Sequence, residues 1–388
     1  MNTEFVLVIA SAVATGLLTV EGLWVLVTTR DRKLAKPMMT TPAYGERKRI
    51  CIIFPTYKDV VDLDKWLEWS KGEPVKYIIA EDITNNSLKY KDKATIIHRD
   101  VRDGFKAGAV NNVFNYLVSK KEDFDYILIF DSDHLPYNDS IKEIYGYLNK
   151  EVIQFFWLDG LPLKTPLNWL TFSSRYYSNW NIYNRIFPNL TGSGIAIRYD
   201  LVKEDNVRFP ETITEDYALT LRTIHSRRLK VTVIPYVISI GSSPKSFRGF
   251  VKQQTRWAEG TIRDGTTYFW KVMESDSIST SGKLDFLLHV NMYMQGIWTI
   301  FTVVLLVSGF GYSLYMIPIL LFQAIAYMKT LGKTPKKYWI LYFFLNYYMA
   351  TVQLYAFLRA ILIKHGTFHV TDKVTLPSGQ MTPRLNLQ

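Results

Sequence analysis

The 388-residue sequence predicts an α/β domain built on a mixed, mostly parallel sheet, with α-helical apolar segments at both ends. Three observations carry that expectation. Between residues 47 and 270, short apolar runs alternate with amphipathic stretches, the pattern of buried strands joined by helices. Two of those runs end in acidic residues. Apolar segments of about 20 residues or more, long enough to cross a bilayer, flank the whole.

Residues 5–29 are apolar, broken only by Glu21. The run is too long for a signal-peptide core and starts beside Glu4 instead of basic residues, so it reads as a membrane helix. Arg30, Arg32, Lys33 and Lys36 follow at once. Basic residues mark the cytoplasmic side, so the next domain is expected there and the N-terminus outside. Glu21 is either a buried partner for another helix or, more simply, an interfacial carboxylate near the helix end.

Within residues 47–270, Ile50–Phe54, Tyr77–Ala80 and Tyr126–Phe130 read as buried strands, and Leu63–Trp69 and Lys106–Val118 as helices. The first strand runs into Pro55-Thr56-Tyr57, the second into Glu81-Asp82, the third into Asp131-Ser132-Asp133. Ligands of open α/β sheets bind beyond the carboxyl ends of strands, so these three groups belong on one rim.

Residues 284–328 have room for two crossings, turning at Gly309-Phe310-Gly311-Tyr312-Ser313, with His289, Asn291 and Gln295 marking an interfacial start. Lys329, Lys333, Lys336 and Lys337 return the chain to the cytoplasmic side. Residues 338–363 would permit another crossing. The basic tail, 364–388, argues for a cytoplasmic end, so 338–363 is read as an interfacial or bent helix. The net charge of +11 favours anionic partners such as nucleotide diphosphates and lipid headgroups. Its basic residues are scattered and form no nucleic-acid module, so no nucleic-acid partner is expected. A single cysteine, Cys51, excludes an internal disulfide.

Five clusters carry candidate chemistry, and each taken alone is more simply served by an ordinary structural role. Asp131 and Asp133 repel unless a cation sits between them. Mg²⁺ or Mn²⁺ would take both and complete its shell with phosphate oxygens, though solvated turns often carry such pairs. Asp82 offers acceptors to a nucleobase or ribose, or simply caps a turn. The segment around Lys106 mixes basic residues with glycines before a helix, a site for phosphate or a plain helix start. Thr214-Glu215-Asp216 provides either an N-cap or a general base at Asp216. Gln253-Gln254-Thr255-Arg256-Trp257 sets a guanidinium for phosphate beside an indole for a sugar ring, or lies on an amphipathic surface helix.

In this order and spacing the clusters resemble the processive family 2 glycosyltransferases, the cellulose synthase class in particular, over residues 48–375. Phe130-Asp131-Ser132-Asp133-His134 resembles the family's F-D-A-D-H metal motif. Glu211–Asp216 is similar to the segment holding the catalytic base, and Gln253–Trp257 to its Q-x-x-R-W signature. Lys106-Ala107-Gly108-Ala109 with Asn111 resembles the stretch beside the diphosphate. Thr191-Gly192-Ser193-Gly194 with Arg198 resembles the loop near the acceptor sugar. Phe368-His369-Val370-Thr371-Asp372-Lys373 resembles the gating loop, in which Phe368, Val370, Thr371 and Lys373 match the motif.

The resemblance implies a membrane-integral, inverting enzyme with a cytoplasmic GT-A domain in the plasma membrane, using a UDP-sugar and Mg²⁺ or Mn²⁺. It implies donor binding by Pro55, Thr56, Tyr57, Asp82, Lys106, Asp131 and Arg256. Asp131 and Asp133 would hold the metal, and Asp216 would be the catalytic base. Gly192, Ser193, Glu215 and Trp257 would hold the acceptor, a growing glycan. The alternatives are single-step transfer to a ceramide- or polyprenyl-type lipid, and an inactive membrane scaffold or sensor. Departures from the pattern are Glu81-Asp82 for a paired Asp-Asp, Asn189-Leu190-Thr191-Gly192 without the usual cysteine, a short 154–190 segment and fewer membrane segments.

Overall fold

A computed structural model describes residues 3–28, 41–59, 61–159, 163–204, 207–227, 229–307, 317–330 and 335–363. The first helix, α1 (Thr3–Thr28), is followed by β1 (Ile50–Tyr57), α2 (Leu63–Trp69), β2 (Val75–Asp82), β3 (Thr95–Arg99), α3 (Phe105–Ser119) and β4 (Tyr126–Ile129). The two-residue β5 (Leu135–Pro136) precedes β6 (Val152–Leu158), α4 (Pro166–Asn184), β7 (Ile195–Arg198), α5 (Tyr199–Lys203), α6 (Glu215–Arg227) and β8 (Val231–Ile240). Four long helices follow: α7 (Phe247–Glu274), α8 (Thr280–Val307), α9 (Ile317–Thr330) and α10 (Trp339–Leu362).

The sheet order is β3-β2-β1-β4-β7-β6-β8-β5. Strands β3, β2, β1 and β4 run parallel. The short β7 lies antiparallel between β4 and β6, and β5 pairs antiparallel with β8. The sheet is therefore mixed. Its central strands are apolar on both faces because helices cover both sides. Cys51, Ile53, Ile127 and Ile129 pack under α3, while Ile52, Phe54, Leu128 and Phe130 pack against the indoles of α2. The register pairs Thr56 with Glu81 and Tyr57 with Asp82, so the ends of β1 and β2 do share one rim.

Helices α1 and α8 contain the segments long and apolar enough to cross a membrane among the described residues, Val6–Val27 and Thr280–Val307, with mean hydropathy 2.0 and 1.6. The described length of α9, 14 residues, falls short of the about 20 a crossing needs. The proposed external turn at 309–313, the basic residues 30–36 and the tail lie outside the described residues.

Glu21 departs from the interfacial reading. It is fully buried, and Asn291 Nδ2 of α8 donates to it at 3.0 Å. The polarity of the start of α8 likewise has an internal cause: His289 and Gln295 are 4 % exposed and turn inward. Asp285 ties the helices to the α/β domain. It accepts from Trp24 Nε1 of α1 at 3.1 Å, from Arg185 Nε at 3.1 Å and from the Phe187 N–H at 2.9 Å.

Removing one partner of a buried ion pair strands the other. Asp285→Ala is therefore expected to destabilise the protein by about 3–5 kcal/mol. Thermal unfolding in detergent checks this, and a melting temperature within a degree of wild type would exclude the anchor.

Candidate active site

The rim of the sheet opens into a cavity of about 400 Å³ bounded by α4, α6, α7, α8 and α10. On the β1–β2 side Pro55, Thr56, Tyr57 and Asp82 line it. Asp82 is 2 % exposed, and its two oxygens accept from Arg99 Nε and Nη2 at 2.7 and 2.8 Å, a bidentate fork. Arg102 lies 3.9 Å over the Tyr57 ring and 3.8 Å from Asp82. The result is a flat cation–aromatic wall backed by a carboxylate, shaped for a planar ring. Arg99 and Arg102 went unassigned at the sequence level because they sit in a run of alternating charge that reads as solvated.

Lys106, in the first turn of α3, reaches into the same cavity. Its Nζ donates to Asp131 Oδ1 at 2.5 Å and to the Gly192 carbonyl at 2.5 Å, and lies 3.5 Å from Glu215. Burial alone would depress this ammonium, but the carboxylates of Asp131 and Glu215 outweigh it and raise its pKa. Gly192 sits at φ +76°, a conformation open to glycine, and a Cβ there would lie 3.5 Å from Asp216 Oδ2.

Ser193 does not face the cavity, contrary to its expected acceptor role. It is fully buried, its Oγ accepts the Asp131 N–H at 3.1 Å and meets His134 Nδ1 at 3.1 Å. The chain enters the sheet as β7 just after this residue, and the buried serine supports the backbone of Asp131 from behind.

Asp131, Asp133 and His134 present ligand atoms within 4.8 Å of one another. Asp131 and Asp133 border the cavity, and Asp133 Oδ2 is oriented by the Ser242 N–H at 3.0 Å. His134 is 1 % exposed, with Nδ1 between the hydroxyls of Ser193 and Ser239. The donor set fits a hard divalent cation held by the two carboxylates and sharing its shell with phosphate; the imidazole fixes the turn beneath them.

Glu215 and Asp216 open α6 at the cavity wall. Burial raises both: Glu215 to about 7, with Asp216 shifted in the same direction. Asp264 of α7 holds this segment by accepting from Thr214 Oγ1 at 2.5 Å and Thr212 Oγ1 at 3.1 Å. Gly260, one turn earlier on α7, allows the close approach: a Cβ there would meet the Thr214 side chain at 2.6 Å.

Gln253, Gln254, Arg256 and Trp257 of α7 line the opposite wall. The Arg175 guanidinium stacks 3.4 Å over Trp157 and 5.1 Å from Trp257, with Asp159 at 3.7 Å. Sequence reasoning missed Arg175, Trp157 and Asp159. One signal was present: Arg175 is the single charged residue in the 19-residue, aromatic-rich α4.

The cavity continues between α8 and α10, past His289, Tyr293, Gln295, Thr299 and Gln353. Four side-chain atoms around it, Tyr217 Oη, Gln253 Oε1, His289 Nδ1 and Gln295 Oε1, are buried and make no hydrogen bond to the described residues. Such groups cost stability unless a ligand or solvent satisfies them. Every sequence-assigned residue within the described chain except Ser193 therefore meets one cavity; Phe368, Val370, Thr371 and Lys373 lie outside the described residues.

Asp264 generates a stability prediction. Burial raises its carboxyl from 3.8 to about 6. Below the lower value both states are protonated and burial costs nothing; above the upper value the folded state bears the full penalty. Asp264→Asn keeps an acceptor for Thr214 and should raise the melting temperature by about 3–6 °C at pH 7.5. The gain should shrink as the pH falls towards 4.5, and a pH-independent difference would contradict this origin.

The sequence profile of glycosyl transferase family group 2 matches residues 126–356. Among solved structures, the mannosyltransferase PcManGT from Pyrobaculum calidifontis, in complex with GDP-Man and Mn²⁺, superposes with a TM-score of 0.60 at 16 % identity. The match covers 92 % of this chain and 100 % of that one. A putative nucleotide-diphospho-sugar transferase from Desulfovibrio desulfuricans G20 matches with a TM-score of only 0.29 at 11 % identity, covering 64 % of this chain and 98 % of that one. The structural likeness speaks for the GT-A fold, and the profile, spanning more than half of the sequence, for the lineage: this chain belongs to glycosyl transferase family group 2.

Proposed function

We propose that this protein is a membrane-integral, inverting glycosyltransferase that moves a sugar from a UDP-sugar to a growing glycan. The observation that carries the reading is the meeting of Asp131, Asp133, Lys106, Glu215, Asp216, Arg256 and Trp257 at one cavity. In this reading the Arg102–Tyr57 wall and Asp82 receive the nucleoside. Lys106 and Arg256 face the diphosphate. Asp131 and Asp133 would hold Mg²⁺ or Mn²⁺, which would neutralise charge on the leaving group.

The acceptor hydroxyl oxygen forms a bond to the anomeric carbon while the bond from that carbon to the phosphate oxygen breaks. The electron pair leaves with the nucleoside diphosphate, and Asp216 takes the hydroxyl proton. Burial suits Asp216 to this task by making it a stronger base than an exposed aspartate. Lys106 and Arg256 supply fixed positive charge where the leaving group becomes more negative, a contribution that grows in a water-poor site.

For the acceptor, the polar lining beyond Trp257 favours a hydroxyl-rich glycan over an unadorned lipid chain. Single-step transfer to a lipid remains the second reading, supported by the small number of described helices able to span a bilayer. The basic residues after α1 support a cytoplasmic catalytic domain with the N-terminus outside, and α10 is read as lying at the inner interface of the plasma membrane. The tail segment 368–373 would close over bound donor.

The deciding experiment incubates purified protein with labelled UDP- and GDP-sugars and Mg²⁺ or Mn²⁺, then sizes the products. A ladder of oligomers from one UDP-sugar is expected. A single glycolipid selects the second reading, exclusive use of a GDP-sugar overturns the donor assignment, and no transfer to any acceptor overturns the reading.

Asp216→Asn should lower kcat about 10²–10⁴-fold while leaving metal-dependent donor binding intact; near-normal transfer would remove Asp216 as the base.

The pH profile gives an independent check. A raised carboxyl is protonated at higher pH, so kcat/KM should fall on the acid side above the about 4 of an exposed aspartate. Glu215→Gln, which deletes a neighbouring negative charge, should move that limb to lower pH. An acid limb no higher than that of an exposed aspartate, or one that Glu215→Gln leaves in place, would refute the assignment.

A further inference from the structure

Behind the catalytic wall, α7 and α10 enclose a second groove of about 420 Å³. Arg248, Lys252 and Arg256 line it from α7, and Tyr348, Tyr355 and Arg359 from α10. Four cations thus face a single carboxylate, Glu259. That carboxylate is 2 % exposed and already accepts from Arg263 Nη2 at 3.1 Å and Arg359 Nε at 2.9 Å. Its charge is spent on joining the two helices. Arg248 and Lys252 stand one turn apart on the open side, where like charges repel, and no carboxylate among the described residues forms an ion pair with either.

The lip of the groove is apolar. Ile340, Phe344, Tyr348, Tyr355 and Leu362 recur at helical spacing along α10 and are 72, 65, 47, 54 and 76 % exposed. Tyr348 and Tyr355 belong both to this stripe and to the basic groove. The ligand such a surface fits is anionic at one end and apolar along its length. Tyrosine at the junction suits the headgroup level of a bilayer, and basic pockets beside membrane helices suit lipid phosphate.

We propose that this groove binds the phosphate headgroup of an anionic membrane phospholipid, with the acyl chains lying along the exposed stripe of α10. The assignment rests on the membrane placement proposed above. Arg256 borders both the groove and the catalytic cavity. A seated headgroup therefore lies against the same helix that presents Gln253 and Trp257 to the substrate.

The test uses full-length protein in zwitterionic nanodiscs and in neutral detergent, titrated with phosphatidylglycerol or phosphatidylcholine and followed by native mass spectrometry. Wild type should prefer phosphatidylglycerol by about tenfold or more. Combining Arg248→Ala with Lys252→Ala should reduce that preference to about twofold or less while metal-dependent donor binding stays unchanged. The pair Arg248→Lys with Lys252→Arg should retain it.

Equal affinity for both lipids, or full preference in the alanine variant, would overturn the proposal. Displacement of the lipid by inorganic phosphate alone, at millimolar concentration, would identify the site as one for free anions and also overturn it. Sugar transfer without lipid preference would sink this inference alone. Lipid preference without transfer from any donor would sink the proposed reaction alone. Failure of the chain to float with vesicles would remove the membrane placement beneath both.

Discussion

Carboxylates crowded among fewer cations in one largely buried cleft are the constraint from which the rest of this structure follows. Asp131, Asp133, Glu215 and Asp216 all border one cavity, and Lys106 reaches three of the surrounding groups at once. Like charges at this density are unfavourable without compensation. Compensation comes from Lys106, from Arg256 and Arg175, and from raised proton affinity at Glu215 and Asp216. A fold seeking stability alone would disperse these groups. Concentrating them makes the cleft receptive to a cation and a polyphosphate, whose own charges complete the balance.

Each carboxylate is held by an element chosen for rigidity. Parallel strands deliver Asp82 and Asp131 to one edge of the sheet, and Ser193, in the loop before the antiparallel β7, locks the backbone of Asp131. Glu215 and Asp216 start a helix, and their position is fixed through Thr214 by Asp264 on α7. That same helix carries Gln253, Arg256 and Trp257. One rod therefore positions the Glu215–Asp216 segment, the Arg256 guanidinium and the Trp257 indole together. A tilt of α7 would move all three in concert.

Much of this was readable from residues because buried parallel strands write themselves as unbroken apolar runs. Ile50–Phe54, Tyr77–Ala80 and Tyr126–Phe130 lie within or overlap β1, β2 and β4, and Leu63–Trp69 coincides with α2. β7 escaped because its four residues, Ile195–Arg198, carry no period, and its antiparallel insertion depends on partners distant in sequence. β8 contains Pro235 and pairs with β6 through irregular register, which blurs any strand pattern. Arg102, Arg175 and Asp264 were hard to place for a related reason: tertiary packing alone brings them to the cavity or beneath its wall. Ser193 shows the converse, since a small polar residue in a glycine loop looks like a ligand contact until the fold turns it inward. His289 and Gln295 were read as marking a membrane interface because polarity in an apolar helix has two explanations, a polar boundary outside or a polar cavity within.

The fastening of α1 has a consequence for biosynthesis. Trp24 finds its acceptor on Asp285, 261 positions later, and Glu21 finds its donor on Asn291, 270 positions later. At about 5–20 residues per second, a ribosome needs tens of seconds to close that gap. Helix α1 is therefore made well before the neighbours that hold it. Until α8 is made, that glutamate and that indole wait for these groups, and the wall of the cavity that α8 supplies is missing as well.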